Sequence, residues 1–208
     1  MNARVRNRIG MGLASVVLTV TMAGGPAPVS AVTGAKAARS CPGSNTSPRS
    51  DSLDKTGRAV LCLLNAERAA RGLSALALDA RLQIAAERHS QDMGARDFFD
   101  HVTPAGVGVT ARVRAAGFPS SGGNLAEILA WGSGPFGRPA IIVKGWMTSP
   151  RHRATILNAA MRQIGIGIAL DAPEPDVVAG GATYTVDFAS AGSRRTRRAP
   201  RRETRRAR

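Results

Sequence analysis

The sequence predicts an α+β fold in which helices cover an antiparallel sheet. Three observations support this class. Patterns with the helical period come early in the chain, patterns with the alternation of a strand come late, and no internal repeat is visible. A length of 208 residues fits about one domain with flanking extensions.

The N-terminal region is predicted to be a secretory signal peptide that spans residues 1–31. Residues 1–8 carry three arginines, residues 9–23 form an uncharged apolar stretch, and small residues lead to a cleavage position after Ala31. Because the apolar stretch is shorter than the roughly 17–25 residues of a membrane helix, we expect cleavage, with a retained anchor as the alternative. Residues 32–50, which are rich in Ala, Ser, Pro and Gly, are predicted to be a linker or extended arm.

Two amphipathic helices are predicted to open the domain. The first lies within residues 51–72 and ends at Gly72, a helix stop signal. Its apolar face contains Val60, Leu61 and Leu64. The second is predicted to begin after Asp79, a favourable N-cap residue. Its buried stripe should comprise Leu82, Ala85, Ala86, His89 and Met93, which are spaced along one helix face. His89 is therefore expected to be a core histidine rather than a functional one.

Two shorter helices and three strands are predicted in the rest of the domain. The third helix is predicted over residues 109–117 and the fourth over residues 138–147, with Pro139 in its first turn. The strand candidates are AEILAWG (126–132), IGIGIAL (164–170) and ATYTVDFAS (182–190). In IGIGIAL, glycine alternates with isoleucine, which bares one face of the strand for close packing.

The two cysteines, Cys41 and Cys62, are predicted to form a disulfide. An exported protein meets an oxidising compartment in which thiols pair. The bridge would close a loop of about 20 residues, worth roughly 3 kcal/mol on the chain-entropy model. It would tie an irregular N-terminal segment to the first helix. Two independent thiols are the alternative.

The net charge of +15 belongs mainly to the two ends of the sequence. Residues 1–8 contribute three positive charges, and residues 193–208 contribute eight through nine arginines and one glutamate, which leaves +4 for everything between. Residues 193–208 are predicted to be disordered, because such a run cannot bury a core. By charge alone they could hold an anionic cell-wall polymer or lipid headgroups, or they could have no dedicated partner. Their lack of aromatic residues argues against nucleic acid, which needs stacking surfaces.

Four common catalytic signatures are absent from the sequence: H-E-x-x-H, G-x-S-x-G, a P-loop and a C-x-x-C pair. The remaining polar candidates are Asp100 and His101 in FFDHVTP, Glu127 in LAEILAWG, and His152 in SPRHRATIL. Ser149 and Pro150 are predicted to be the cap and first residue of a short helix, which puts His152 in its first turn. The helix dipole together with Arg151 and Arg153 should keep His152 uncharged.

Six motifs follow one another along about residues 55–190: LLNAERAARGL, AAERHSQDMGARDFFDHVTPAG, ARVRAAGF, LAEILAWGSG, VKGWMTSPRHRATIL and RQIGIGIAL. In this order they resemble the bacterial branch of the CAP superfamily. That family is named after cysteine-rich secretory proteins, antigen 5 and pathogenesis-related proteins, and is also called SCP-like. The resemblance implies a three-layer α-β-α sandwich over residues 51–192, with a central antiparallel sheet between helical layers and a cleft on one side. It also implies a place outside the cell or at the bacterial cell envelope.

In that family the cleft is lined by two histidines and acidic residues that can hold a divalent metal such as zinc. Matching the motifs places the histidines at His101 and His152. Matching AEILAWG places the acid at Glu127, although Ile128 then stands where the family has asparagine. The other register puts Gly123 at that position and leaves no acid.

The lack of any nucleophile–base arrangement in the sequence favours a binding protein over an enzyme. His101, Glu127 and His152 would make a zinc site with a fourth position open for water. The alternative is that the two histidines only hydrogen-bond across the cleft. Asp100 and Ser149 are predicted to support the cleft, and Asp100 could supply a second acid. We therefore expect a secreted, non-enzymatic protein whose cleft binds a ligand or partner, with lipid or sterol among the ligands that the family allows. A metal-assisted, protease-like hydrolase with the same three residues is the alternative.

Overall fold

The computed structural model describes residues 41–119, 123–174 and 180–190. Within these ranges the helices are α1 (Leu53–Ala69), α2 (Ala80–Ala95), α3 (Val109–Ala115), α4 (Pro139–Thr148) and α5 (Pro150–Ile156), with a short 3-10 turn at Gly134–Gly137. The strands are β1 (Ala77–Leu78), β2 (Leu125–Ser133), β3 (Met161–Ala169) and β4 (Gly181–Ser190). None of the helices in these ranges has the length and apolar character that crossing a bilayer requires. The predicted signal peptide (1–31) and arginine-rich tail (193–208) lie outside the described residues.

The strands form one sheet with the order β1-β3-β4-β2. β4 pairs antiparallel with both β3 and β2, and these are the three strands that the sequence predicts. β1 adds only Ala77 and Leu78, which run parallel to β3. The predicted α+β class is confirmed. The sequence does not predict β1, because two residues are too few to show an alternation.

Helices cover both faces of this sheet, which gives the three layers of an α-β-α sandwich. On one face, α1 and α4 pack against the sheet through Val60, Leu64, Ile142, Trp146, Ile164, Ile166, Tyr184, Val186 and Phe188. On the other face, a smaller cluster joins α2 and α3 to the sheet through Leu82, Ala85, Val113, Phe118 and Ala189. The whole stripe predicted for α2 is buried. Removal of this apolar surface from water is the main force that holds the layers together.

α2 lies almost directly on β3, and two glycines make this approach possible. An ideal Cβ on Gly165 would lie 2.1 Å from the carbonyl carbon of Leu82, and one on Gly167 would lie 2.1 Å from the carbonyl carbon of Ala86. Neither position has room for a side chain. The prediction that the glycines of IGIGIAL bare one strand face for close packing is therefore confirmed.

Gly167→Ala is expected to lower the free energy of unfolding by about 1–3 kcal/mol, since α2 must move away from β3. The matched control is Gly57→Ala in α1, where nothing lies within 4 Å of an added Cβ. That control is expected to raise the free energy of unfolding by about 0.5–1 kcal/mol, because alanine is the better helix former. Urea denaturation measures both changes. Equal stability of Gly167→Ala and the wild type would contradict the close approach.

The segment before α1 is anchored to that helix by the predicted disulfide, which is confirmed. Cys41 is bonded to Cys62 of α1, with their Cα atoms 5.7 Å apart. Cys41 and Ser44 are both buried, although they belong to the stretch predicted as a linker or arm. The Ser44 carbonyl also accepts a hydrogen bond from the Ala140 N–H of α4. After α1, Gly72 turns the chain with a φ of +68°, as its role as a stop signal predicts.

Candidate functional site

Glu127 is the centre of the candidate site. It lies on β2 directly opposite Asp187 in the antiparallel ladder, and its side chain is only 2% exposed. One carboxylate oxygen, Oε1, lies 2.8 Å from Nδ1 of His101. The other, Oε2, accepts a hydrogen bond from Nη2 of Arg112. The sheet therefore buries a carboxylate whose two oxygens both have donors.

Arg112 of α3 connects this carboxylate to the loop that precedes the helix. Its side chain is 8% exposed. While Nη2 contacts Glu127, Nη1 donates to the carbonyl oxygens of His101 and Val107, each at 2.9 Å. Arg112 thus fixes the backbone that carries His101. Sequence reasoning did not identify Arg112, because a basic residue on a short helix is usually solvated.

These contacts shift the pKa values of the pair. Burial raises the pKa of Glu127, but the hydrogen bond from His101 and the charge of Arg112 outweigh it and hold that pKa below its usual value. The hydrogen bond to Glu127 raises the pKa of His101, and burial opposes this only in part. The carboxylate and the imidazolium therefore coexist over a wider pH range than the free groups. Because the His101 side chain is 56% exposed, its charge faces water.

Asp100 shapes the same loop through local hydrogen bonds. Its Oδ1 accepts from the N–H of Val102 at 2.9 Å, and its carbonyl oxygen lies 3.0 Å from Nε2 of His89. Asp100 itself is exposed. His89 is fully buried, as predicted for a core histidine, and burial lowers its pKa. The buried His89 of α2 therefore supports the loop through the Asp100 carbonyl oxygen.

Asp187 is a site residue that sequence reasoning missed. Thr183, Thr185 and Asp187 are alternate polar positions on one face of β4, and all three are 0% exposed because helices cover this face as well as the other. Neither carboxyl oxygen of Asp187 has a hydrogen-bond donor within the described residues. Burial and the charge of Glu127 raise the pKa of Asp187 well above its usual value. As a neutral acid, Asp187 can donate its own proton to Glu127, which an ionised carboxylate could not do.

Asp187→Asn is expected to flatten the pH dependence of stability. Because the folded pKa of Asp187 is raised, its contribution is fully present below the unfolded pKa of about 3.9 and is lost as pH rises through the folded pKa. Asparagine does not titrate. Between the unfolded pKa and the folded pKa, the free energy of unfolding of the wild type should therefore fall relative to that of the variant by up to about 1.4 kcal/mol per pH unit. Denaturation between about pH 4 and 8 measures this difference, and parallel curves would contradict a neutral Asp187.

His152 lies in the first turn of α5, as predicted, and is half-buried. Its pKa is lowered first by burial and then by the charge of His101. The predicted direction is correct, but these causes differ from the predicted influence of Arg151 and Arg153. Ser149 occupies the predicted N-cap position, yet its side chain makes no capping hydrogen bond to α5.

Two members of the predicted three-ligand set, His101 and Glu127, are in direct contact within the described residues. The charge of His101 also contributes to the lowered pKa of His152. Each oxygen of Glu127 already accepts one hydrogen bond, and the guanidinium of Arg112 adds a positive charge that opposes a cation there. Over residues 41–119, 123–174 and 180–190, no three His, Cys, Asp or Glu side chains converge as metal ligands. Zinc binding by His101, Glu127 and His152 stays a prediction of the resemblance.

Comparison with known proteins assigns the family. The family model described as "CAP: Cysteine-rich secretory protein family" matches residues 61–186. Uncharacterized protein YkwD of Bacillus subtilis is 34% identical over 110 residues, which cover 52% of this chain and 40% of that protein. Uncharacterized membrane protein YlbC of the same organism is 31% identical over 111 residues, which cover 52% of this chain and 30% of that protein. The chain thus spans less than half the length of these curated relatives.

Solved structures share the fold at low sequence identity. An extracellular protein containing a SCP domain from Bacillus anthracis superposes with a TM-score of 0.53 at 22% identity, over 70% of this chain and 45% of the other. An outer surface protein from Borrelia burgdorferi superposes with a TM-score of 0.56 at 19% identity, over 69% of this chain and 98% of the other. With the family match over most of the sandwich, the recognition made from the motifs is confirmed. The chain belongs to the cysteine-rich secretory protein (CAP) family.

Proposed function

We propose that this protein acts outside the cytoplasm as a non-enzymatic binding protein, and that the surface around His101 attaches it to anionic lipid. The extracellular and outer-surface descriptions of the two structural neighbours support the location. The surface around His101 means here His101 together with Phe99 and Val102, its neighbours in the loop between α2 and α3.

The observation that carries the proposal is a cation set among exposed apolar side chains. Phe99 is 43% exposed and Val102 is 45% exposed, two residues before and one residue after the exposed His101 in the sequence. The raised pKa of His101 keeps the imidazolium populated to higher pH than a free histidine would allow. An anionic headgroup would meet this charge, and the adjoining acyl region would meet the apolar side chains.

The metal-assisted hydrolase with His101, Glu127 and His152 is the alternative. A general base must reach the proton that it removes. Glu127 already accepts hydrogen bonds from His101 and Arg112, and its side chain is only 2% exposed, so water has little access to its remaining lone pairs. This arrangement favours a structural carboxylate beneath a binding surface.

Phe99→Asp is expected to weaken binding of the full chain to phosphatidylglycerol vesicles at least tenfold, since a buried phenylalanine contributes roughly 1.5–3 kcal/mol. The matched control is Ile141→Asp, which makes the same charge change at a side chain 44% exposed on α4. Vesicle sedimentation measures both partition coefficients.

The same binding measurement should be repeated without the arginine-rich tail, because residues 193–208 could also hold anionic lipid or cell-wall polymer. Deletion of these residues is expected to weaken binding most at low salt and to leave the difference between Phe99→Asp and Ile141→Asp unchanged. Equal losses in the two aspartate variants would contradict the proposed surface. Zinc-dependent hydrolysis of a peptide that disappears in Glu127→Gln would favour the hydrolase instead.

A further inference from the structure

A groove of about 290 Å³ lies at the edge of the sheet, and none of its lining residues belongs to the surface around His101. α1 covers one face of the sheet and α2 covers the other, yet residues of both helices line this groove together with Ile166 and Ile168 of β3. Because β4 occupies one side of β3, the groove lies on the other side, where Leu78 ends β1. It therefore continues the line of β1 along the edge of β3.

The backbone groups of Ile166 and Ile168 are directed towards this groove. The Asp79 N–H donates to the carbonyl oxygen of Ile164, so Ile164 directs its backbone groups towards β1. Backbone direction repeats at every second residue of a strand. Ile166 and Ile168 therefore direct their N–H and C=O groups to the same side, whereas the glycines between the isoleucines direct theirs towards β4.

This edge of β3 is open beyond the two residues that β1 covers. β1 pairs only with Gln163 and Ile164. Ile164 is 0% exposed, whereas Ile166 and Ile168, which line the groove, retain 5% and 6% exposure. Among the described residues, no backbone group outside the ladder with β4 bonds to either of them. The edge thus offers two sets of backbone donors and acceptors, which strand geometry places about 6.6 Å apart.

The two walls of the groove differ in chemistry. On the α1 side lie Leu53 and Gly57, and an added Cβ on Gly57 would meet no atom within 4 Å. On the α2 side lie Gln83, Glu87 and Gln91. These three are one helix turn apart, about 6 Å, which is close to the two-residue repeat of an extended chain. An extended peptide can therefore place one set of side chains on apolar surface and the other set on polar groups.

The charges of the lining favour a cationic side chain on the α2 side. Asp54 and Arg58 are one turn apart on α1, so their charges offset each other. Glu87 is the remaining charge of the lining, which gives the groove a net charge of −1. Since the whole chain carries +15, this acidic groove does not reflect its general composition.

We propose that this groove binds an extended peptide segment of another protein, which adds to the edge of β3 with apolar side chains towards α1 and a lysine or arginine beside Glu87. Main-chain hydrogen bonds to Ile166 and Ile168 provide affinity, and the side chains provide specificity. Because the edge lies at the bottom of a groove between two helices, it admits a single extended chain and keeps out the sheet edge of a second folded copy. The site uses neither His101 nor Phe99, so it is independent of the lipid-binding surface proposed above.

Titration of the full chain with a capped peptide, Val-Thr-Val-Lys-Val-Thr, tests strand addition by NMR. The amide proton resonances of Ile166 and Ile168 should move downfield in a saturable way, and those of Gly165 and Gly167 should move much less. N-methyl groups on the valines and N-methyl groups on the other residues should differ at least tenfold in their effect on affinity, because only one set of alternate N–H groups faces β3. Equal effects of the two sets, or no saturable shift, would overturn strand addition.

A groove-filling variant localises the binding. Gly57→Leu is expected to weaken binding of this peptide at least tenfold, because the new side chain occupies the α1 side of the groove. The matched control is Gly145→Leu on α4, where an added Cβ also meets nothing within 4 Å, and it should leave the affinity unchanged. Equal affinities of the two variants would overturn the site. A dimer that sedimentation finds in the wild type and not in Gly57→Leu would overturn the peptide as occupant in favour of a second copy.

Glu87→Gln tests the charge preference while it keeps the shape of the groove. The affinity for the lysine peptide should fall about two- to fivefold, as expected for a partly exposed ion pair. A peptide with threonine in place of lysine should bind the wild type and Glu87→Gln equally. An unchanged affinity for the lysine peptide would overturn the placement of its cation beside Glu87.

Discussion

Arg68→Met is expected to lower the free energy of unfolding by about 3–5 kcal/mol. Arg68 is the 0% exposed arginine near the end of α1. Its guanidinium donates to four backbone carbonyl oxygens, those of Ser74, Ile156, Asn158 and Met161, at 2.7–3.1 Å. Methionine keeps much of the volume but leaves these acceptors without their donor. The end of α1 would then lose its connection to the turn between α5 and β3.

Arg71→Met is the matched control, because Arg71 lies one turn further along and is exposed. Its ion pair with Glu67, at 2.7 Å and spaced i,i+4, should contribute at most about 0.5 kcal/mol. Urea denaturation of both variants gives the comparison. A loss below about 1 kcal/mol in Arg68→Met would mean that the four carbonyls find other partners.

Glu127→Ala is the second change with a large expected effect, again about 3–5 kcal/mol of the free energy of unfolding. Removal of the carboxylate leaves Arg112, whose side chain is 8% exposed, as a buried cation without its counter-ion. It also takes from His101 the acceptor that raises its pKa. The loop between α2 and α3 should loosen, since Arg112 fixes it through the carbonyls of His101 and Val107.

The double variant Glu127→Leu with Arg112→Met separates this explanation from simple loss of packing. If the unpaired cation causes the loss, replacement of both charges by apolar side chains should recover a large part of it. Glu67→Ala, which breaks an exposed pair, should change stability by no more than about 0.5 kcal/mol. A double variant less stable than Glu127→Ala would contradict the role of Arg112.

The layers of the fold could be predicted from local sequence patterns. The stripe of α2 and the alternating glycines of β3 each identify a face, and these two faces pack against each other. The two-residue β1 is different, because its pairing depends on where the loop after α1 passes β3. The burial of Arg68 could not be predicted either, since an arginine near a helix end is normally solvated. Only its hydrogen bonds to carbonyl oxygens of distant segments make it a core residue.

The candidate site was predictable to a smaller extent. Motif matching placed His101 and Glu127 together, and the structure has them 2.8 Å apart. Arg112 and Asp187 were missed because their roles depend on burial, which neither a short helix nor an alternating strand reveals. The burial of Asp187 could have been inferred from the predicted sandwich. Helical layers on both sides of the sheet imply that even the polar face of a central strand is covered.

The central claim, which we propose from the contacts of Glu127, is that its carboxylate serves as the counter-ion of Arg112 and the acceptor for His101 rather than as a metal ligand. Calorimetric titration of zinc into the wild type and Glu127→Gln near neutral pH tests it most directly. We expect the two proteins to show the same zinc affinity, or no binding in either. A loss of about tenfold or more in Glu127→Gln, equivalent to roughly 1.4 kcal/mol, would contradict the claim and restore the predicted His101, Glu127 and His152 metal site.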